Sequence, residues 1–500
     1  MIDLSINRRT LEKNIGKARE KGIIVPTLAQ MKDPGKIPEA VKGRLKKTGL
    51  WDVDPVNLFR ITWRNEPRAA GGLFGGPNFI ELPSSLTGVE ARIICLAGKY
   101  FPTGCHKVGA AFGCLAPRLV TGQFDAASQK AVWPSTGNYC RGGAFNSKLL
   151  AVDSVAILPE GMSRERFDWL KTIAGEIIAT PGAESNVKEI FDKVHELKAA
   201  RRDVWVFNQF EEMGNYLWHY NVTGDAIAGA FEALRARGGE YGRSRFAGVC
   251  FTSGSAGTLA SGDFLKQQYP LSKIAVGEAL QCPTILNNGF GAHRIEGIGD
   301  KHIPWVHNVK NTDMAVAVDD NDSMALLRLF NEPAGKEYLT TEAGLSPEQV
   351  ESLSLMGISG IANMLCCIKF AKYYELTGDD VVATVLTDSV DMYRSRLEEL
   401  RREGGRRPSP GEYRTVDAAA DFAASLLGAG TDNMRELTYR DRKRIHNLKY
   451  YTWVEQQGRT PEELDDQWYR QEKSFAGVQG QAEEIDSLIN EFNAGTGLLK

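Results

Sequence analysis

The stretch that decides the fold begins with the apolar run Phe246-Ala247-Gly248-Val249-Cys250-Phe251 and continues into the loop Thr252-Ser253-Gly254-Ser255-Ala256-Gly257-Thr258, before a helical segment at residues 259–269. A short apolar run that ends in glycine and small polar residues is typical of a buried strand leading to a helix. Small residues let consecutive backbone N–H groups approach an anion at a helix N-terminus. Taken alone, the loop favours a tight structural turn over a phosphate site, because it carries neither a Walker lysine nor a GxGxxG pattern.

The same pattern of strand, loop and helix recurs along the chain. Further apolar runs lie at residues 131–133, 154–158, 176–180, 204–207 and 381–386. Such repetition predicts an α/β fold with two lobes, each an open, mostly parallel twisted sheet with helices on both faces. Ligands of open α/β sheets bind beyond the carboxyl ends of strands, so the residues directly after these runs are the first candidates for a site.

Composition places the chain among ordinary globular proteins. It has 500 residues, of which 42% are hydrophobic and 25% charged, and its formal net charge is −3. No apolar run is long enough to cross a membrane, and the N-terminus lacks the apolar core of a signal peptide. The eight cysteines are scattered without metal-ligand spacing, which favours reduced thiols, a cytoplasmic location and no metal site.

Three further segments carry candidate chemistry. Lys107 stands alone among small and apolar residues, and a desolvated lysine has a lowered pKa and an amine available for Schiff-base chemistry. The loop Pro134-Ser135-Thr136-Gly137-Asn138-Tyr139-Cys140-Arg141-Gly142-Gly143 follows an apolar run with hydroxyl, amide and N–H donors suited to a carboxylate or phenolate oxygen. Leu386-Thr387-Asp388-Ser389 ends the last apolar run.

Along the chain the segments run from the lysine to the Asn-containing loop, the Gly-rich phosphate loop and the late strand-end Ser. In this order they resemble the pyridoxal-phosphate enzymes of the cysteine synthase and tryptophan synthase β-subunit type, known as fold type II. Supporting stretches are Leu158-Pro159-Glu160-Gly161-Met162-Ser163, Asn208-Gln209-Phe210-Glu211 and His293-Arg294-Ile295-Glu296-Gly297-Ile298-Gly299. The resemblance covers roughly residues 95–395. It departs from the cysteine synthase pattern around the lysine, where His106-Lys107-Val108 looks more like the tryptophan synthase version, and at Asn208, where that pattern has Gln.

The resemblance implies a role for individual residues. Lys107 would hold pyridoxal 5′-phosphate and move the substrate's α-proton, while Asn138 would bind the cofactor's ring oxygen. The substrate would be bound by Ser135, Thr136, Gly137 and Asn208, and the 5′-phosphate by Gly254, Ser255, Ala256, Gly257 and Thr258. Ser389 would face the pyridine nitrogen. For Arg141 we hypothesise recognition of an anionic leaving group, the alternative being a helix-start arginine paired with a local carboxylate.

Ser389 also indicates the type of reaction. A hydroxyl leaves the pyridine nitrogen uncharged, and the resulting weak electron sink favours immediate expulsion of a group from Cβ. The resemblance therefore implies β-elimination or β-replacement on a serine- or cysteine-like amino acid through an aminoacrylate intermediate. An ammonia-lyase or dehydratase that releases a keto acid and ammonia is the alternative, and a non-catalytic homologue is the third.

The chain divides into three predicted parts. Residues 1–60 form a basic arm or cap, with twelve Lys/Arg against five Asp/Glu in residues 1–50. Residues 61–397 form the two-lobed catalytic core, whose smaller lobe, about residues 125–225, is inserted in the larger one. Residues 398–500 form a helical extension. We expect a homodimer from the family, a small amino acid as substrate, and neither nucleic acid nor membrane as partner.

Overall fold

The fold was taken from a computed structural model, which describes residues 1–66, 73–182, 186–403 and 412–499. Within these ranges the backbone forms two sheets. The larger sheet has seven strands in the order β1-β2-β10-β7-β8-β9-β11, and the smaller has four in the order β5-β4-β3-β6. The strands are β1 Phe79–Leu82, β2 Arg92–Ala97, β3 Lys130–Pro134, β4 Asp153–Pro159, β5 Glu176–Thr180, β6 Val204–Val206, β7 Arg245–Thr252, β8 Lys273–Ala279, β9 Met314–Val318, β10 Asp380–Leu386 and β11 Met434–Glu436.

Both sheets are mostly parallel. Only β1 and β11, at the two edges of the larger sheet, pair antiparallel with their neighbours, and every pair in the smaller sheet is parallel. Parallel neighbours need helical crossovers, and these bury both faces of the sheet. The α/β fold class predicted from the recurring pattern is confirmed.

Successive side chains of the larger sheet pack into two different apolar clusters. In β10, Val381, Ala383 and Val385 belong to one apolar cluster, while Val382 and Leu386 belong to a second cluster on the opposite face. Successive side chains of a strand point to opposite faces, so a strand covered on both sides must be apolar throughout. This requirement explains why the strands read as continuous apolar runs.

The helices cover these faces and extend the chain at both ends. They are α1 Arg8–Lys21, α2 Leu28–Lys32, α3 Glu39–Leu45, α4 Ser84–Thr87, α5 Lys107–Val120, α6 Asn138–Leu149, α7 Arg164–Ile173, α8 Val187–Ala200, α9 Met213–Trp218, α10 Gly224–Arg235, α11 Leu259–Gln268, α12 Thr284–Asn287, α13 Asp320–Asn331, α14 Pro333–Thr341, α15 Pro347–Ser352, α16 Ile358–Tyr373, α17 Arg394–Glu403, α18 Thr415–Asp421, α19 Tyr439–Lys449, α20 Pro461–Tyr469, α21 Phe475–Gln479 and α22 Ala482–Thr496. Single π-helical turns lie at His219–Thr223, Phe422–Leu427 and Tyr450–Val454. Helix α16 packs across β7, β8, β9 and β10.

The two ends of the chain pack on each other. The Asn493 side chain both donates to the Val25 carbonyl and accepts from its N–H, at 2.7 and 2.9 Å. Gln481 makes the same paired contact with Ile2. The described part of residues 398–500 is largely helical, and the division of the chain into three parts stays a prediction.

The described residues contain no single helix that is long and apolar enough to cross a bilayer. The bent pair Pro347–Leu355 and Ile358–Tyr373 meets the length and composition requirement only when its two helices are taken together. Its second helix is almost entirely buried under the larger sheet.

Candidate functional site

Loops from both sheets meet at one narrow cavity beyond the carboxyl ends of the strands. Six of the residues predicted for the site line this cavity: Lys107, Ser135, Thr136, Asn138, Gly254 and Ser255. Residues that were not predicted complete its wall, namely Tyr139, Gln209, Phe210, Gly297, Asp300 and Thr387. The topology explains the meeting, because β3, β7 and β10 each end at the cavity.

Lys107 is the first residue of α5 and reaches into the cavity. Its Nζ donates to the Ser255 hydroxyl at 2.7 Å and to the Gln209 side-chain oxygen at 3.2 Å. Burial of the amine lowers the pKa of Lys107 to about 8. Near neutral pH a larger fraction of this amine than of an ordinary lysine is therefore without its proton, the form that Schiff-base chemistry requires.

The loop of residues 254–258 forms a cradle of N–H donors at the start of α11. Ala256 has φ +61°, and a left-handed residue within such a loop turns successive N–H groups toward one point. In the described part of the chain, no group accepts a hydrogen bond from the backbone N–H groups of residues 254–258. Free donors at a helix N-terminus are what a phosphate group requires.

Close packing explains the glycines of this cradle. A Cβ on Gly254 would overlap the carbonyl oxygen of Gly297, and a Cβ on Gly257 would overlap the side-chain oxygen of Asn215. Asn215 in turn donates to the Ser255 hydroxyl at 3.1 Å. Any larger residue would move the loop and its donors.

The loop between β3 and α6 forms the opposite wall. Gly137 has φ +138°, and its N–H donates to the Ser135 hydroxyl at 3.2 Å, which also accepts from Gln209 Nε2 at 3.2 Å. The Asn138 amide donates to the buried Asp388 carboxylate at 2.6 Å. The tip of the smaller sheet is thereby tied to the end of β10.

Several predicted residues do not line the cavity. Ala256, Gly257 and Thr258 lie in the cradle behind Ser255, and Gly137 lies in the turn behind Ser135. The Asn208 side-chain oxygen accepts from the Phe210 N–H at 3.1 Å, while the next residue, Gln209, reaches Lys107. The Ser389 hydroxyl donates to Asp391 at 3.3 Å. The roles of Asn208 and Ser389 toward substrate and cofactor stay predictions.

Arg141 is fully buried inside the protein. Its Nη2 donates to the Thr103 carbonyl at 3.0 Å, and its guanidinium lies 4.8 Å from the centre of the Trp169 ring. Burial lowers the pKa of Arg141 to about 10. These contacts indicate a packing role, so the recognition of an anionic leaving group by Arg141 stays a prediction that the geometry does not support.

Asp300 was not anticipated from the sequence. Its Oδ2 is buried and has no hydrogen-bond partner among the described residues. Burial raises the pKa of Asp300 to about 7, against the opposing effect of Lys107. The motif quoted above, which ends at Gly299, stops one residue short of it. An unpartnered carboxyl in a cavity with a lysine is a candidate acid or base.

These features fit the cofactor that the resemblance implies. The cradle would take its phosphate and Lys107 its aldehyde carbon, and Asn138 faces the same cavity. Ser135 and Thr136 line the cavity beside them, where the resemblance would place the substrate carboxylate. Asp300 lies in the same cavity, and its Oδ2 has no partner among the described residues.

The chain is similar to a family of enzymes, to individual proteins of that family and to solved structures. The model of the family described as "Pyridoxal-phosphate dependent enzyme" matches residues 75–346. A cysteine synthase of Staphylococcus aureus is 30% identical over 53% of this chain and 75% of its own length. A probable cysteine synthase of Bacillus subtilis is 27% identical over 61% of this chain and 89% of its own. The crystal structure of an O-acetylserine-dependent cystathionine β-synthase from Helicobacter pylori has a TM-score of 0.52 at 21% identity, over 64% of this chain and 95% of that one.

Proposed function

Because the chain belongs to the pyridoxal-phosphate-dependent enzymes, on their cysteine synthase-like branch, we propose that it catalyses β-replacement or β-elimination on a serine- or cysteine-like amino acid. Membership of the family confirms the resemblance drawn from the sequence, and the cofactor is pyridoxal 5′-phosphate. The observation that carries the proposal is the contact of the Lys107 amine with Ser255 and Gln209, next to the free N–H groups of the cradle.

The cofactor, when bound, supplies an electron sink for the substrate's α-carbon. The chain supplies the rest. The Lys107 amine lies in the cavity with a lowered pKa, so it can take the α-proton near neutral pH. The hydroxyls of Ser135 and Thr136 orient the substrate carboxylate. Ser389, in this proposal, faces the pyridine nitrogen, as the family pattern implies.

Asp300 is assigned to the group that enters or leaves at Cβ. Its carboxyl shares the cavity with Lys107, and its pKa of about 7 lets it exchange a proton at neutral pH. We assign it as the base that takes the proton of the incoming thiol or water. A buried carboxylate with no partner already holding it can accept such a proton.

A substrate panel tests this function. The cofactor-loaded protein is mixed with serine, O-acetylserine, O-phosphoserine and cysteine, each with and without a thiol acceptor, and with alanine as the control that lacks a leaving group. We expect a new β-substituted amino acid when a thiol acceptor is present, and keto acid with ammonia only when it is absent, in both cases only from substrates with a leaving group. A stoichiometric yield of keto acid and ammonia that no acceptor reduces would favour the ammonia-lyase alternative, and transamination of alanine would contradict the proposal.

A homodimer and a cytoplasmic location belong to the same proposal, as properties expected of this branch. The mass of the cofactor-loaded protein measured by light scattering tests the first of these. A value near twice the chain mass of 55.1 kDa supports it, and a value near the chain mass contradicts it.

A further inference from the structure

The loop of residues 297–309, here called the Asp300 loop, has few regular elements of its own. Its start is bound next to the phosphate cradle, because the Gly299 N–H donates at 2.9 Å to the carbonyl of Ser253, the residue directly before the cradle. The Thr284 hydroxyl donates to the Asp300 carbonyl at 3.0 Å. Because the loop has few regular elements of its own, the position of the Asp300 carboxyl depends on contacts with other parts of the chain.

Much of that support comes from the C-terminal extension. Lys449 is the last residue of α19, and its Nζ donates to the carbonyls of Trp305 and His307 at 2.9 and 2.7 Å. The Trp453 indole N–H donates to the Ile303 carbonyl at 2.8 Å. Gln467 of α20 donates to the Trp305 carbonyl at 3.0 Å. All of these donors bind backbone oxygens within seven residues of Asp300.

Lys449 is an unusual residue for such a place. It is fully buried, and its third donor is used by the Gln467 side-chain oxygen at 2.6 Å, so all three N–H groups of the ammonium are satisfied. No carboxylate is among these three acceptors. Burying a charge without a counter-charge is costly, and burial lowers the pKa of Lys449 well below its ordinary value. Two of its three acceptors belong to the Asp300 loop, so the buried amine serves mainly to hold that loop.

The donors lie outside the part of the chain that the family shares. The family match ends at residue 346, and Lys449, Trp453 and Gln467 follow it by about a hundred residues or more. The loop they hold lies within the match. A segment outside the family match therefore forms hydrogen bonds to the Asp300 loop, which lies inside the match.

We propose that the segment of residues 439–469 is a positioning element of the catalytic site, which fixes the Asp300 loop against the phosphate cradle and so sets the place of the Asp300 carboxyl. Lys449 and Trp453 are positioning residues and touch neither substrate nor cofactor. The inference rests on the role proposed for Asp300, and its test separates the two.

The test compares Lys449→Met and Trp453→Phe with Arg440→Met, an exposed residue of the same helix that makes no contact with the loop. Hydrogen–deuterium exchange is measured on the cofactor-loaded proteins. We expect the amides of residues 297–309 to exchange at least about tenfold faster in Lys449→Met and in Trp453→Phe, with β7 unchanged. Arg440→Met should match the unaltered protein.

A double-mutant cycle with Asp300→Asn gives the second readout. We expect Lys449→Met to lower the rate of thiol addition and to shift its pH dependence near 7, and to have no further effect once Asp300 is replaced. Loop exchange that stays unchanged in both variants would overturn the inference. So would a loss of protection throughout β7 in Lys449→Met together with an unchanged loop in Trp453→Phe, because the role would then be general stability.

If the role proposed for Asp300 is wrong, the two measurements give a different combination of results. If Asp300→Asn leaves the pH dependence intact, Asp300 is not the base, and that result falsifies its assigned role. The exchange measurement on residues 297–309 still decides whether the extension holds the loop.

Discussion

At the scale of single residues, the chemistry depends on two groups whose pKa values move toward neutrality from opposite sides. Burial lowers the pKa of the Lys107 amine to about 8 and raises the pKa of the Asp300 carboxyl to about 7. The same loss of water favours the uncharged form of each. One desolvated cavity can thus supply a base for the α-proton and a second group for the proton at Cβ.

Replacing Asp300 tests whether this carboxyl, and not Lys107, takes the proton at Cβ. Below about pH 7 the carboxyl is protonated and cannot accept a proton, so we expect the rate of thiol addition to rise as the pH increases through 7. Asp300→Asn should remove this rise and lower the maximal rate by about a hundredfold. Asp379→Asn, at an exposed ion pair, is the control. A rise that persists in Asp300→Asn would exclude Asp300 as its source.

The sequence allowed Lys107 to be predicted because the surrounding residues are small and apolar, a local property. It could not separate Asn208 from Gln209, since the direction of successive side chains in a loop depends on the backbone fold. Nor could it single out Asp300 or Asp388, because an acidic residue in a loop is usually exposed and only the assembled cavity buries it.

At the scale of elements, the phosphate cradle depends on close approach between backbone segments. Gly257→Ala would push the loop away from Asn215 and displace the N–H donors. We expect the dissociation constant of the cofactor to rise by roughly fivefold to a hundredfold. Titration of the cofactor-free protein with pyridoxal 5′-phosphate measures it.

Gly16→Ala is the matched control, because a Cβ at Gly16 in α1 would meet nothing within 4 Å. This change should leave cofactor binding unaltered and stabilise α1 by up to about 1 kcal/mol. If Gly257→Ala lowered stability and left cofactor affinity unchanged, the glycine would serve packing alone.

Six strands, β3 to β7 and β10, were predicted from the sequence as apolar runs, whereas β1, β2, β8, β9 and β11 of the described residues were not. The runs at residues 131–133, 154–158 and 381–386 lie in β3, β4 and β10. Strand β8, with Lys273, Gly277 and Glu278 among its residues, was not predicted because its apolar run is interrupted. Glu278 is buried there and accepts from the N–H groups of Ile285 and Leu286 at the start of α12, a contact that only the fold creates.

At the scale of the whole molecule, a buried arginine links the two sheets beside the site. Arg166 in α7 donates to the Thr136 carbonyl at 2.6 Å and to the Tyr393 hydroxyl at 3.0 Å. It also pairs with the buried Glu296 at 3.2 Å. Residues from both lobes of the predicted core thus converge on one guanidinium.

Removing this guanidinium should be costly. Arg166→Met leaves the Glu296 carboxylate without one of its buried partners, and we expect the free energy of unfolding to fall by about 3–5 kcal/mol. Arg164→Met, two residues earlier in the same helix at an exposed pair with Glu398, should change it by less than about 1 kcal/mol. Denaturant unfolding of the two variants compares them, and equal values would contradict a linking role for Arg166.

The measurement that tests the central claim most directly is covalent trapping of the cofactor. Borohydride reduction of the loaded protein fixes the cofactor to the amine that holds it, and peptide mass spectrometry identifies that amine. The account predicts the added mass on Lys107 in the unaltered protein and in Lys148→Ala, an exposed lysine of α6, and no trapped cofactor in Lys107→Ala. Cofactor found on another lysine, or trapped equally in Lys107→Ala, would contradict it.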